Sequence, residues 1–224
     1  MSNLFHSTGN LFENEKAAGG EPVQQLGDRV FLLCGFARES AARLVAAVDE
    51  VAAASPFRFM AVRGGHKMSV AMTNCGQLGW VSDESGYRYD SLDPVSGNPW
   101  PDMPPVMYDL AVTAAARAGF GAFEPDACLI NRYEPGARMG LHQDKNEQDY
   151  GAPIVSVSLG LPATFLFGGM RRADRPQRMH LESGDVVVWG GPARLAYHGV
   201  APLPDGEDAL TGRSRINLTF RKAS

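Results

Sequence analysis

The sequence predicts an α+β, mostly β chain: a double-stranded β-helix, or jelly roll, with N-terminal helices packed on one of its sheets. Three observations predict it. From residue 127 onward, short apolar segments recur between Gly- and Pro-marked turns, about eight strands in roughly 95 residues. Two helical patterns occur, and both precede that stretch. Residues 215–221 alternate strictly, with Ile216, Leu218 and Phe220 against Arg215, Asn217, Thr219 and Arg221.

In order, residues 1–27 are rich in Gly, Asn, Glu and Gln and are expected to form a flexible arm ahead of one domain over 28–224. Residues 30–36 form a short apolar strand. Residues 37–55 carry Leu44, Val48 and Val51 at helical spacing among alanines, and Pro56 ends the helix. A second helix runs over 105–118, with Pro105 in its first turn and Gly119 past its end. Between the helices, residues 57–104 are irregular and dense in Gly, Pro, Met and aromatics. Long structured loops tend to be functional, so these side chains read as a stacking surface or lid. They read equally as the core of a short β-meander. The jelly-roll core occupies 127–221, with strands over 128–133, 138–142, 154–159, 164–167, 178–181, 186–189, 196–198 and 215–221. Turns are marked by Glu134-Pro-Gly136, Gly168-Gly169, Ser183-Gly184 and Gly190-Gly-Pro192.

The length of 224 residues suits a single domain with a sizeable core. A net charge of −4 argues against a protein that coats nucleic acid electrostatically, without excluding local basic patches. Arg171, Arg172, Arg175 and Arg178 form one such patch, and Arg58, Arg63 and Lys67 another. Each reads as a solvated loop or as a phosphate site. Three widely spaced cysteines, Cys34, Cys75 and Cys128, with no C-x-x-C, argue against a disulfide framework or zinc knuckle. The N-terminal stretch is polar, and no run approaches the roughly 18–20 apolar residues that span a bilayer. A cytoplasmic monomer with no membrane partner is the expectation.

The chemistry resides in His142, Asp144 and His198. Positions i and i+2 of an extended strand face one side, so His142 and Asp144 can reach one metal ion. A distant histidine completes a three-ligand face with open positions opposite, the ligand set of non-haem Fe(II) oxygenases. H-x-D also occurs by chance, and a lone histidine is more often structural. The polar face of residues 215–221 likewise has two readings. It is a solvated strand face, or it is an anion site in which an arginine fork grips a carboxylate. An iron centre of this kind needs an anionic co-substrate beside it, which favours the anion site.

Longer stretches carry a resemblance. Ser69-Val-Ala-Met-Thr-Asn-Cys75 with Gly79-Trp80, Pro125-Asp-Ala-Cys-Leu-Ile-Asn-Arg-Tyr133, Leu141-His-Gln-Asp-Lys145, Ile154-Val-Ser-Val-Ser-Leu-Gly-Leu-Pro162, Gly184-Asp-Val-Val-Val-Trp-Gly-Gly191 and Tyr197-His-Gly199 together resemble the AlkB family of Fe(II)- and 2-oxoglutarate-dependent dioxygenases. The resemblance covers roughly residues 30–221 and is closest to the family's bacterial alkylation-repair members. It implies that His142, Asp144 and His198 hold Fe(II) and act catalytically through it. It implies that Arg215, Asn131, Tyr133 and Asn217 bind 2-oxoglutarate, with Arg221 near its chelating end. Residues 57–104 would be a nucleotide-recognition lid. There Trp80 would stack on the damaged base, Tyr87 and Tyr89 would hold the nucleic-acid backbone, and Met68 and Met72 would line the base pocket. Arg172 would contact the lesion strand. The implied reaction is repair of alkylated single-stranded DNA, with double-stranded DNA or RNA as further possibilities. O2 and 2-oxoglutarate are co-substrates, 1-methyladenine or 3-methylcytosine is demethylated, and formaldehyde, succinate and CO2 are released. The other reading is a dioxygenase of the same class acting on RNA, protein or a small molecule. Two departures stand out. Asn146 occupies a base-contacting position where the family pattern has Asp, which implies a weaker preference for cationic lesions. Arg63 and His66 also depart, in the lid.

Overall fold

The computed structural model describes residues 22–61 and 64–224. The predicted departure at Arg63 lies outside the described residues, as do residues 1–21 of the predicted arm. The rest of that arm is not loose. Val23–Gly27 forms strand β1, paired antiparallel with β2 (Val30–Leu33). The polar, non-alternating sequence Val23-Gln-Gln-Leu-Gly27 hid an edge strand held by backbone hydrogen bonds.

A 3-10 turn at Arg38–Ser40 leads into α1 (Ala41–Ala54), and α2 spans Pro105–Arg117. The apolar stripe of α1, Leu44, Val48 and Val51, is buried with Met107, Leu110 and Ala114 of α2 against one face of the large sheet. No helix among the described residues is long and apolar enough to cross a membrane.

Residues 57–104 are less irregular than their composition suggests. They contain β3 (Arg58–Ala61), β4 (Lys67–Gly76), β5 (Gly79–Asp83) and β6 (Gly86–Asp90). β3 and β4 belong to the main sheet, and only β5 and β6 stand apart as a two-stranded hairpin. The strand reading of this segment therefore holds, with β5 and β6 set apart from the main sheet. A Cβ on Gly79 would lie 2.3 Å from the Trp100 ring, so only glycine lets the hairpin seat there.

The jelly roll follows: β7 (Ala127–Tyr133), β8 (Met139–His142), β9 (Ile154–Gly160), β10 (Ala163–Phe167), β11 (Gln177–Leu181), β12 (Val186–Trp189), β13 (His198–Val200) and β14 (Arg215–Arg221). The strands form an eight-stranded sheet, β1-β2-β12-β9-β14-β7-β4-β3, facing a four-stranded sheet, β11-β10-β13-β8. A second apolar cluster fills the space between them, including Leu129, Phe165, Leu181 and Trp189.

Register determines what faces inward. β14 lies between β7 and β9, and all seven of its residues are buried. Its apolar members Ile216, Leu218 and Phe220 join the helix-side core. The polar face is therefore not solvated but turned into the roll. Cross-strand partners share a face, so Arg215 meets Tyr133, and Asn217 meets Asn131 and Ser158.

Candidate active site

On the small sheet, His198 is the direct cross-strand partner of His142, and the two rings lie 4.4 Å apart. Asp144 sits in the coil just past the end of β8 rather than on the strand. It still reaches both rings: His142 Nε2 is 3.6 Å from Oδ1, and His198 Nε2 is 3.6 Å from Oδ2. The three donor atoms lie within 4.8 Å of one another, close enough to share one ion. Among the described residues this is the one such group of three.

Each histidine is oriented by its own backbone. His142 Nδ1 is 2.9 Å from the Gly140 carbonyl, and His198 Nδ1 is 3.0 Å from the Ala196 carbonyl. A carbonyl only accepts, so each Nδ1 carries the proton and each Nε2 keeps a lone pair for a metal. Asp144 is held from behind by Arg221, whose Nε and Nη2 donate to Oδ2 at 2.9 and 2.6 Å. Burial alone would raise the Asp144 carboxyl. Arg221 and the two imidazoles outweigh it and hold the group well below the usual carboxylate range.

Burial lowers the His142 imidazole to about 4, with repulsion from His198 adding and attraction from Asp144 opposing. The ring is therefore neutral and able to bind metal at neutral pH. The metal-free protein is expected to lose stability as the pH falls from about 6.5 toward about 4. Across that window the unfolded chain takes up a proton that folded His142 refuses, so acid favours the unfolded state. Below both values this group adds nothing further. Thermal melts of chelator-treated protein should show the slope, and His142→Asn should flatten it.

The buried face of β14 also carries an arginine whose hydrogen-bonding capacity is not filled by the protein. Arg215 is 1 % exposed. Its Nη2 donates to Ser158 Oγ at 3.0 Å, but Nε and Nη1 are buried with no partner. Its guanidinium lies 5.1 Å from the Tyr133 ring centroid. Two unpaired nitrogens on a buried cation are costly unless a carboxylate completes them. Asn131 Oδ1 is also buried without a partner, while its Nδ2 donates to Asn217 Oδ1 at 3.2 Å. A cavity between the sheets is walled by His142, His198, Asn131, Tyr133, Asn217 and Arg221. One space therefore joins the two histidine donors to Asn131, Tyr133 and Asn217. A roomier surface groove at Arg132, Glu134 and Arg213 contains none of the metal donors.

Residues 30–221 match the 2OG-Fe(II) oxygenase superfamily. The chain belongs to this superfamily. It is an Fe(II)- and 2-oxoglutarate-dependent dioxygenase that uses O2, and the donor set and the unpaired guanidinium fit those partners. The chain is 54% identical over 207 residues to the Alpha-ketoglutarate-dependent dioxygenase AlkB of Escherichia coli, covering 92% of this chain and 96% of that one. It is 34% identical over 134 residues to the human Nucleic acid dioxygenase ALKBH1, covering 58% of this chain and 34% of that one. The solved structure of OsALKBH1 superposes with a TM-score of 0.79 at 29% identity, covering 90% of this chain and 100% of that one.

The hairpin brings some of the expected substrate contacts to this oxygenase site and not others. Trp80 stacks on Tyr87, with centroids 5.5 Å apart and planes 16° apart, and its Nε1 donates to Asn146 Oδ1 at 3.3 Å. Asn74, fully buried, fixes the Trp80 backbone with two hydrogen bonds of 3.0 Å each. Tyr87 is 51% exposed. Met68 is half-buried beside the inner core. Arg172 is exposed on the turn between β10 and β11, and His66 is exposed ahead of β4.

Two expectations fail. Met72 is 1 % exposed inside the core of the roll, opposite Asn131 of β7, so it is closed off from an incoming base. The Tyr89 hydroxyl does not face solvent to hold a nucleic-acid backbone. It donates to Glu147 Oε1 at 2.7 Å, within the charged cluster behind Asp144. The sequence reading missed Glu147, Arg194, Asn74 and Ser158. No local pattern separates these polar residues from solvated ones, since only strand register and loop folding bury them.

Proposed function

We propose that this oxygenase repairs alkylated nucleic acid by oxidative demethylation of N-methylated bases such as 1-methyladenine and 3-methylcytosine. Its substrate on this reading is single-stranded DNA. The observation that carries the reading is the platform of Trp80 and Tyr87, tied through Asn146 to the chain two residues past Asp144. A flat aromatic surface at the mouth of an oxygenase site suits a base. A base must leave its stack to be oxidised, and single strands lower that cost. High identity to the Escherichia coli protein and the nucleic-acid activity named for the human relative support the same substrate class.

His142, Asp144 and His198 hold the metal, and Arg215 with Asn131, Tyr133 and Asn217 holds 2-oxoglutarate. When bound, Fe(II) with 2-oxoglutarate and O2 supplies oxidation of a C–H bond, with succinate and CO2 as co-products. The chain's task is placement. Arg215 grips the distal carboxylate, where its two orphaned nitrogens become satisfied. Arg221 acts through Asp144, keeping it charged and aimed at the ion. Phe165 and Trp189 wall the inner side and exclude water. Trp80 and Tyr87 present the base so that its methyl group faces the metal and leaves as formaldehyde. Met68 borders that base, and Arg172 meets a phosphate of the same strand. The protein acts as a monomer in the cytoplasm.

Anaerobic loading with Fe(II) and 2-oxoglutarate, followed by air, tests the reading on a single-stranded oligonucleotide carrying one 3-methylcytosine. Loss of one methylene mass unit with matching succinate, absent in His142→Ala, is the expected result. Succinate without a mass change would move the substrate elsewhere. Trp80→Ala should raise the oligonucleotide KM by about 5–150-fold, reflecting ~1–3 kcal/mol of stacking, with the 2-oxoglutarate KM unchanged.

Asn146 offers its oxygen to Trp80 and carries no charge. Asn146→Asp should therefore raise kcat/KM on cationic 3-methylcytosine by roughly fivefold, the ~1 kcal/mol between charged and neutral hydrogen bonds. A neutral etheno adduct in the same assay should not gain.

A further inference from the structure

Behind the metal carboxylate lies a buried ring of charge in which Arg221 alone has been given a role above. Glu147, whose side chain is 2% exposed, stands at its centre. Its Oε1 accepts from Tyr89 of β6 at 2.7 Å and lies 3.4 Å from Arg221 Nε. Its Oε2 lies 3.3 Å from Arg194 Nη2. Arg194 is itself pinned, donating to the Asp144 carbonyl at 2.9 Å and the Ala152 carbonyl at 3.1 Å. Arg221 is thus shared by two carboxylates. It contacts Asp144 at 2.6 Å and Glu147 at 3.4 Å, so the metal ligand holds the shorter pair.

We infer that Glu147 is a positioning residue that couples the hairpin to the metal carboxylate, with Tyr89 as the hairpin's half of the link. While the Tyr89 hydroxyl occupies Glu147 Oε1, Glu147 has its own donor and Arg221 stays with Asp144. With that hydroxyl gone, Oε1 is a buried acceptor with a cation beside it. The closest replacement donor is Arg221 Nε, and Arg221 can satisfy Glu147 only by loosening its grip on Asp144. Buried carboxylates do not stay unpaired when a guanidinium is within reach. The seating of the hairpin is thereby transmitted to the aim of a metal ligand through Tyr89, Glu147, Arg221 and Asp144. This inference rests on the reading of the hairpin as the nucleic-acid lid. It adds that displacing the hairpin leaves the metal site less well formed, so oxidation is tied to the seating of the hairpin.

The test is a double-variant cycle of Tyr89→Phe and Glu147→Gln. Tyr89→Phe removes only the hydroxyl and keeps the ring. The readouts are Co(II) affinity in the absence of oligonucleotide, and the ratio of succinate to formaldehyde during turnover with Fe(II). Thermal melts of each metal-free variant check folding. Tyr89→Phe should weaken Co(II) binding by about 10-fold, the scale of a lost outer partner of a metal ligand, and raise the succinate ratio. In the Glu147→Gln background, where no charge competes for Arg221, the added Tyr89→Phe change should have little further effect. Unchanged Co(II) affinity in folded Tyr89→Phe, or effects of the two changes that simply multiply, overturns the coupling. Failure of the wild-type protein to demethylate the oligonucleotide sinks the substrate reading instead, and the Co(II) cycle still decides the link.

Discussion

Asp144→Asn is expected to cut metal affinity and turnover sharply in a protein that still folds. The side chain keeps its shape, and its oxygen still accepts from Arg221, but the charge that draws a divalent ion between His142 and His198 is gone. Loss of one of three protein ligands should lower Co(II) affinity by more than about 100-fold, beyond the usual effect of a lost outer partner. The fold loses less. Arg221 becomes a buried cation with a neutral partner at 2.6 Å, while Glu147 remains at 3.4 Å. The net cost is about 1–3 kcal/mol in a chelator-buffered urea titration. Wild-type Co(II) affinity in this variant would show that the metal centre lies elsewhere.

Arg215→Met separates function from stability in the opposite direction. In the unliganded protein Arg215 is a fully buried cation with two orphaned nitrogens, and burial already depresses its guanidinium. An apolar side chain of similar length removes that cost, so the variant without co-substrate should be as stable as the wild type or more so. 2-Oxoglutarate then loses its charged, forked partner. Breaking such a pair costs ~3–5 kcal/mol, which weakens 2-oxoglutarate binding by roughly 100- to 1000-fold or more. Thermal shift reports both effects. The wild-type melt should rise with 2-oxoglutarate and the Met variant's should not. A Met variant still stabilised by 2-oxoglutarate would place the co-substrate on other residues.

Much of the fold was legible because periodicity survives folding. Both helices, the apolar half of β14 and the inner strands β9 and β12 carry their pattern in the residues themselves. The 57–104 stretch was only half legible. Its strands are short, and β4 is buried along most of its length, so it lacks the alternation that marks a half-exposed strand. The same loss of alternation hid Met72, whose place in the core follows from β4 joining the main sheet. The metal donors were legible as residue types at a spacing. The route that brings them together was not, since Asp144 reaches the histidines from coil rather than from the strand face first assigned to it.

From its residues alone, this chain offers the ligand types for a metal, two histidines and a carboxylate, and a strand with one polar row of Arg, Asn, Thr and Arg that suits an anion. Tertiary structure decided which polar residues lose their water. The registers of β14 with β7 and β9 place Arg215 in the roll, short of partners. The fold of the loop after β8 buries Glu147 among two arginines and Tyr89. Burial depends on what packs above a residue, and chain-distant strands supply that cover. A hydrogen bond or a charge gains its weight only once water is gone, so the energetics of this site are written in its contacts rather than in its spacing.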